Sequence, residues 1–150
     1  RVGSSAMPRT FPKPTVSELG SITEVALTTF TVTQTSSIMS SSLRSALVSP
    51  DGARLFAGNQ VGPARVLNTA TLSTLTSLTT VPGAFDIALT RNGGQLYVVA
   101  YASNSVVVID ALDYTVRRTI TVFAPRRVVF DATGTIAVVS SEGGNLTFIK

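Results

Sequence analysis

Ala46-Leu47-Val48-Ser49-Pro50-Asp51-Gly52-Ala53-Arg54-Leu55-Phe56 reads as an apolar run, a tight turn and a second apolar run. The same shape returns at Ile87-Ala88-Leu89-Thr90-Arg91-Asn92-Gly93-Gly94-Gln95-Leu96-Tyr97, and Gly52 and Gly93 lie 41 positions apart (93 − 52). A further step of 41 lands on Gly134, within Val128-Val129-Phe130-Asp131-Ala132-Thr133-Gly134-Thr135-Ile136-Ala137, where one residue reads as missing after the glycine. A fixed period of about 40 residues, with several short strands in each, marks a stacked or radial repeat architecture. Proline pre-sets the second position of a turn and glycine suits the last, so Ser49-Pro50-Asp51-Gly52 predicts a type I turn.

Outward from that repeat, the first whole unit covers residues 43–83, with strands expected at 44–49, 54–58, 64–67 and 74–80. Gln60-Val61-Gly62-Pro63 is the breaker between its second and third strands. The second unit covers 84–123. Its runs Gln95-Leu96-Tyr97-Val98-Val99-Ala100-Tyr101 and Ser105-Val106-Val107-Val108-Ile109-Asp110 are continuously apolar, which predicts interior strands covered on both faces. Arg117-Arg118-Thr119-Ile120-Thr121-Val122 alternates, as an outer, half-exposed strand does. A third copy, 124–150, holds three strands; Ile149 matches Ile109 at a spacing of 40, and a fourth strand is lacking. Residues 21–42 match the second unit 84 positions later, Phe30 on Tyr114 and Val32 on Val116, and read as the last two strands of a further unit. Residues 1–20, with Pro8, Pro12 and Pro14, predict an extended or irregular arm.

Composition narrows the chemistry. Hydrophobic residues make up 44% of the chain and charged ones 13%, so solubility rests on Ser, Thr, Asn and Gly, a balance suited to sheets and their turns. The absence of Cys removes disulfides, thiolate metal sites and a cysteine nucleophile. The absence of His removes the usual imidazole base, the commonest metal ligand and every Ser–His triad. The net charge is +4, but no Lys/Arg run concentrates it, so nucleic acid is not expected as a partner. No apolar run approaches the roughly 18 residues of a membrane span. This composition is compatible with an exported protein, extracellular or periplasmic.

The turn and strand motifs resemble the YVTN-type β-propeller repeats. Ser49-Pro50-Asp51-Gly52-Ala53-Arg54-Leu55-Phe56 is similar to the family's opening strand and turn. Gln95-Leu96-Tyr97-Val98-Val99 followed by Ser103-Asn104-Ser105-Val106-Val107-Val108-Ile109-Asp110 is closer still. The resemblance covers residues 43–150, with Val99-Ala100 standing where the family has Thr-Asn and Arg91-Asn92 where it has Pro-Asp. It implies an all-β propeller of four-stranded antiparallel blades, this chain forming an incomplete arc of about three to four of them. An arc leaves sheet faces uncovered, so another surface is expected to complete the ring. That surface is the rest of a longer polypeptide, a separate chain, or an identical copy exchanging the strand expected at 33–39.

In such propellers the ligand site commonly lies at the channel mouth, and the family often has a His just before the first strand of a blade. Aligning on Ser49, Thr90 and Asp131 puts that slot on Arg44, Phe85 and Arg126, with Ser45, Asp86 and Arg127 beside it. The resemblance therefore implies that Arg44, Phe85, Asp86, Arg126 and Arg127 converge. Guanidinium forks in a concave site suit a carboxylate or phosphate ligand; the plainer reading is that these arginines are solvated or paired with Asp86. Asp51, Asp110, Asp113 and Asp131 flank turns and read as acceptors for backbone donors rather than metal ligands. Gly93-Gly94 and Gly143-Gly144 read as turn glycines, since no helix follows to complete a phosphate cradle. Phe85, Tyr97 and Tyr101 have the chemistry to stack on a sugar, but the two tyrosines fall in expected core strands. No catalytic residue, metal or cofactor is assigned. The function expected is a non-enzymatic binding protein that presents a ligand or partner surface at the channel mouth. The alternative is part of a propeller enzyme (lactonase, lyase or oxidoreductase subunit) whose catalytic residues lie mostly outside this chain.

Overall fold

Thr, Val and Ile at alternate positions, punctuated by Asp-Gly and Asn-Gly turns, favour short strands returning on themselves. The computed structural model of the chain, which describes residues 20–37 and 42–150, is all-β in that way. Strands β1 (Ser21–Ala26) and β2 (Thr31–Ser37) form a two-stranded antiparallel sheet. β3 (Leu43–Val48), β4 (Arg54–Asn59), β5 (Pro63–Asn68) and β6 (Thr74–Pro82) form a four-stranded meander. β7 (Ala84–Leu89), β8 (Gln95–Ala100), β9 (Ser105–Asp110) and β10 (Val116–Thr121) form a second, and β11 (Pro125–Phe130), β12 (Ala137–Ser141) and β13 (Leu146–Ile149) a three-stranded third. Residues 1–19 of the arm expected at 1–20, and Ile38 and Met39 of the strand expected at 33–39, lie outside the described residues.

The first strands of the three larger sheets are neighbours, β7 touching both β3 and β11, so the sheets lie face to face in a propeller-like arrangement. Among the described residues no sheet closes on itself. Packing follows from this order. Phe56, Val66 and Leu78 of the first large sheet meet Ile87, Leu96, Val98, Val107 and Ile109 of the second. On the other face of the second sheet, Val99 and Val106 meet Val128, Ala137, Val139 and Ile149 of the third. The continuous apolar runs of β8 and β9 are thus covered on both sides, whereas β10 is exposed apart from Ile120, which packs inward. Ile22 joins the small hairpin to Leu43, Leu55, Leu67 and Leu72.

The repeat is visible in the turns. Gly52, Gly93 and Gly134 all sit at φ between +72° and +75°, where a Cβ would be strained, and donate to the carbonyls of Ser49, Thr90 and Asp131. The bond that closes each turn joins residues 49 and 54, 90 and 95, 131 and 136, the same span each time. The third turn has therefore lost nothing after its glycine, contrary to the sequence reading, and Ile136 occupies the slot of Arg54 and Gln95. The missing residue lies further on. Val99 pairs with Val106 across the β8–β9 connection, but Ser140 pairs with Leu146 across β12–β13. There a tight Gly143-Gly144 turn replaces the 3-10 turn of Tyr101–Ser103. Tyr101, expected in a strand, is the first residue of that turn. A second repeated turn places Phe30, Leu72 and Tyr114 at positive φ (54°, 53° and 61°). Each donates its N–H to the carbonyl four residues back, so the β1–β2 hairpin turns as β5–β6 and β9–β10 do.

Between the first two large sheets there is no room to spare. A Cβ on Gly58 would lie 2.5 Å from Ser45 Oγ, 3.1 Å from the Ala84 carbonyl oxygen and 3.3 Å from Ile87 Cδ1. Gly58→Ala is expected to destabilise the protein by about 1–3 kcal/mol, the usual cost of overpacking. An unchanged urea midpoint would show that the sheets can part to admit a methyl group.

Candidate ligand-binding site

Each innermost strand begins with an irregularity. In β3 the pairing jumps from Leu43↔Asn59 to Ser45↔Gly58, in β7 from Ala84↔Ala100 to Asp86↔Val99, and in β11 from Pro125↔Ser141 to Arg127↔Ser140. The extra residues are Arg44, Phe85 and Arg126. A bulge residue has no partner across the ladder and its side chain is re-aimed, which is why bulges recur at binding sites. Just before each bulge the chain passes through a left-handed residue, Ser42, Gly83 or Ala124.

The three bulge residues come together. The Arg44 guanidinium lies 5.5 Å and that of Arg126 4.6 Å from the centre of the Phe85 ring, so the ring stands between cations from the sheets on either side. Three more residues complete the cluster, one from the end of each second strand: Gln60, Tyr101 and Glu142. Arg44 Nε donates to Gln60 Oε1 at 2.6 Å. Phe85 and Tyr101 have ring centres 5.9 Å apart. Arg126 forms an ion pair with Glu142 and lies 4.1 Å from the centre of the Tyr101 ring, while the Tyr101 hydroxyl donates to Glu142 Oε2 at 2.9 Å. The site is a two-by-three array in which each of the three larger sheets supplies one bulge residue and one turn residue.

Gln60 and Glu142 were not anticipated and Tyr101 was expected in a core strand, though 60, 101 and 142 follow the same step of 41 as 44, 85 and 126. Two anticipated residues take other places. Asp86 is buried, and its Oδ2 accepts the Val128 N–H at 3.1 Å, tying the second sheet to the third. Ser45, in the matching place one sheet earlier, is too short for such a bond, and its buried hydroxyl has no hydrogen-bond partner among the described residues. Arg127 is exposed and enters none of the contacts of the array among the described residues. Tyr97 packs edge-on against Phe130, 4.9 Å away, and belongs to the core.

The array has an uneven charge balance. Arg126 is matched by Glu142, whereas among the described residues Arg44 faces only the neutral Gln60 amide and the Phe85 ring. Cation–π contacts of this kind contribute about 0.5–2 kcal/mol and hold a guanidinium flat without consuming its hydrogen-bond donors. With two guanidinium groups and the Tyr101 ring already against it, Phe85 is not open for stacking on a sugar. What the array offers is a preoriented guanidinium edge, the complement of an oxyanion.

Three other aspartates serve their turns. Asp110 accepts the Leu112 N–H at 2.8 Å and a charge-assisted bond from Arg117 at 2.9 Å, and Asp113 accepts the Thr115 N–H at 2.9 Å. Asp51 accepts the Ser49 hydroxyl and the Ala53 N–H. Among the described residues no three His, Cys, Asp or Glu side chains are grouped to hold a metal ion. An open cleft of about 530 Å³ at the opposite strand ends is lined by such turn residues, including Thr90, Asn92, Gln95 and Asp110.

These features define an all-β protein of antiparallel sheets in propeller-like order, with an arginine and aromatic array where its innermost strands begin. Among solved structures, the chain is similar to hydrazine synthase from Kuenenia stuttgartiensis. The TM-score is 0.78 and the identity 23%, over 87% of this chain and 40% of that one. Likeness at that identity concerns the fold alone, and the chain spans 40% of the length of that relative. No family model matches the chain, and no curated protein matches its sequence.

Two outcomes follow from the geometry. Asp86→Ala leaves the buried Val128 N–H without its acceptor and should cost about 1–3 kcal/mol in chemical denaturation; wild-type stability would mean that the bond between sheets contributes nothing. Asp131 has its pKa held down from the ordinary 3.8 to about 2, first by the Thr133 hydroxyl and then by the Ile136 N–H. The folded state therefore resists protonation more than the unfolded one. The stabilisation from this group is complete above the unfolded pKa and is lost as pH falls through the folded one. The difference in Tm between wild type and Asp131→Asn should be full at neutral pH and close between about pH 4 and pH 2. A gap that does not change with pH would contradict this.

Proposed function

We propose that this chain is a non-enzymatic binding module of the YVTN-type propeller kind, which receives an anionic group of a ligand or partner at the mouth formed by its innermost strands. The observation that carries this reading is the convergence of Arg44, Phe85 and Arg126 at three successive bulges. Three sheets of different sequence spend an irregular residue at one place, and two of the three are guanidinium groups. The absence of His and Cys from the sequence and the use of Asp51, Asp110, Asp113 and Asp131 in turns favour binding over catalysis. In this reading the sheets are part of an arc that further sheets, from the same polypeptide or another chain, complete into a ring. Such a ring would surround the array with low-dielectric walls and strengthen its field.

The test is a titration with acetate and with inorganic phosphate at constant ionic strength, followed by the side-chain NMR signals of the arginines. The wild type should show saturable shifts at the array, and the double variant Arg44→Ala/Arg126→Ala should lose them with its fold intact by circular dichroism. Charge-assisted hydrogen bonds are worth about 1.5–3 kcal/mol, so the loss in affinity should be at least about tenfold. Equal affinity in the two proteins would overturn the site.

A further inference from the structure

The two arginines of the array do not have the same role. Arg126 is already engaged: Glu142 takes its charge, and Tyr101 both supports its guanidinium with its ring and donates its hydroxyl to the same carboxylate. Arg44 has a neutral partner, and only its Nε is used, on Gln60. Among the described residues, no hydrogen bond engages its two terminal Nη groups, and the side chain is exposed. Phe85 supports the guanidinium face.

We propose that Arg44 is the residue that contacts the ligand, through its Nη1/Nη2 edge, and that the ligand class is a carboxylate. Gln60 and Arg126 are positioning residues. This rests on the anion-binding reading above and assigns roles within it. The reasoning is one of charge and shape. A single uncompensated guanidinium matches a single negative charge, and two parallel N–H donors match the two coplanar oxygens of a carboxylate. By holding Nε, Gln60 leaves the terminal pair as the edge that can serve. A phosphate dianion would call for a second free cation, and Glu142 withholds the one nearest.

Four single variants separate the roles in titrations with acetate and with inorganic phosphate at constant ionic strength, each variant being checked for its fold by circular dichroism. Arg44→Lys, which keeps the charge and loses the fork, should weaken acetate binding at least tenfold. Arg126→Lys should weaken it less than Arg44→Lys does, because the ion pair with Glu142 survives with lysine. Gln60→Ala should weaken acetate several-fold while the Arg44 Nε signal moves toward that of a free arginine. Glu142→Gln should raise affinity for phosphate several-fold, since it releases the second guanidinium. Loss that follows Arg126 rather than Arg44, tighter binding of phosphate than acetate by the wild type, or no gain of phosphate binding in Glu142→Gln would each overturn this assignment while anion binding stands. If neither anion perturbs the wild-type array, the binding reading itself falls, and this inference with it.

Discussion

The second large sheet has no solvent-facing side in its two central strands, and the rest of the molecule depends on that. Leu96, Val98, Val107 and Ile109 point one way, Val99 and Val106 the other, and each set needs a sheet to cover it. Fully burying a Val, Leu or Ile side chain is worth about 1.5–3 kcal/mol, so six such residues represent a large share of the gross hydrophobic stabilisation of a domain this small. The requirement fixes the neighbouring sheets face to face. It also brings β3, β7 and β11 side by side, and so the bulges at their starts close enough for three side chains to stack.

Face-to-face packing leaves the sheets free to slide unless something polar fixes their offset. Asp86 does so between the second and third sheets by taking a backbone N–H across the gap. Between the first and second sheets, Arg54 of β4 reaches over to the Ala111 carbonyl. Ser45 is too short to repeat the Asp86 bond, and Gly58 opposite it allows closer approach instead. The two gaps are thus locked by different chemistry at opposite ends of the strands, although the backbones around them are nearly copies.

Much of this was legible in the sequence, for stated reasons. Turn chemistry is local, so Ser49-Pro50-Asp51-Gly52 and Thr90-Arg91-Asn92-Gly93 could be placed without a structure, and continuous apolar runs marked β8 and β9 as interior. The period put Arg44, Phe85 and Arg126 in one slot. What composition could not reveal was pairing. A bulge exists only relative to a partner strand, so nothing in the residues alone separates the re-aimed Arg126 from the exposed Arg127 next to it or foretells that Asp86 is buried. The shortened connection before Leu146 was misplaced to the turn after Gly134 for the same cause: alignment by apolar pattern tolerates a one-residue shift, whereas the ladder does not. Gln60 and Glu142 were overlooked, and Tyr101 was assigned to a core strand, because the three share a period but no chemical type.

That mixture of types has a consequence for how the protein can change. The backbone presents six equivalent places, filled by Arg, Phe and Arg in one row and by Gln, Tyr and Glu in the other, and none of the six belongs to the buried residues that hold the sheets together. Replacing any of them but Phe85, which packs against the core between the second and third sheets, alters charge or shape at the mouth while the buried residues keep their packing. Recognition is therefore written in an alphabet largely separate from the one that specifies the fold, and a relative with the same architecture can differ in most letters of it.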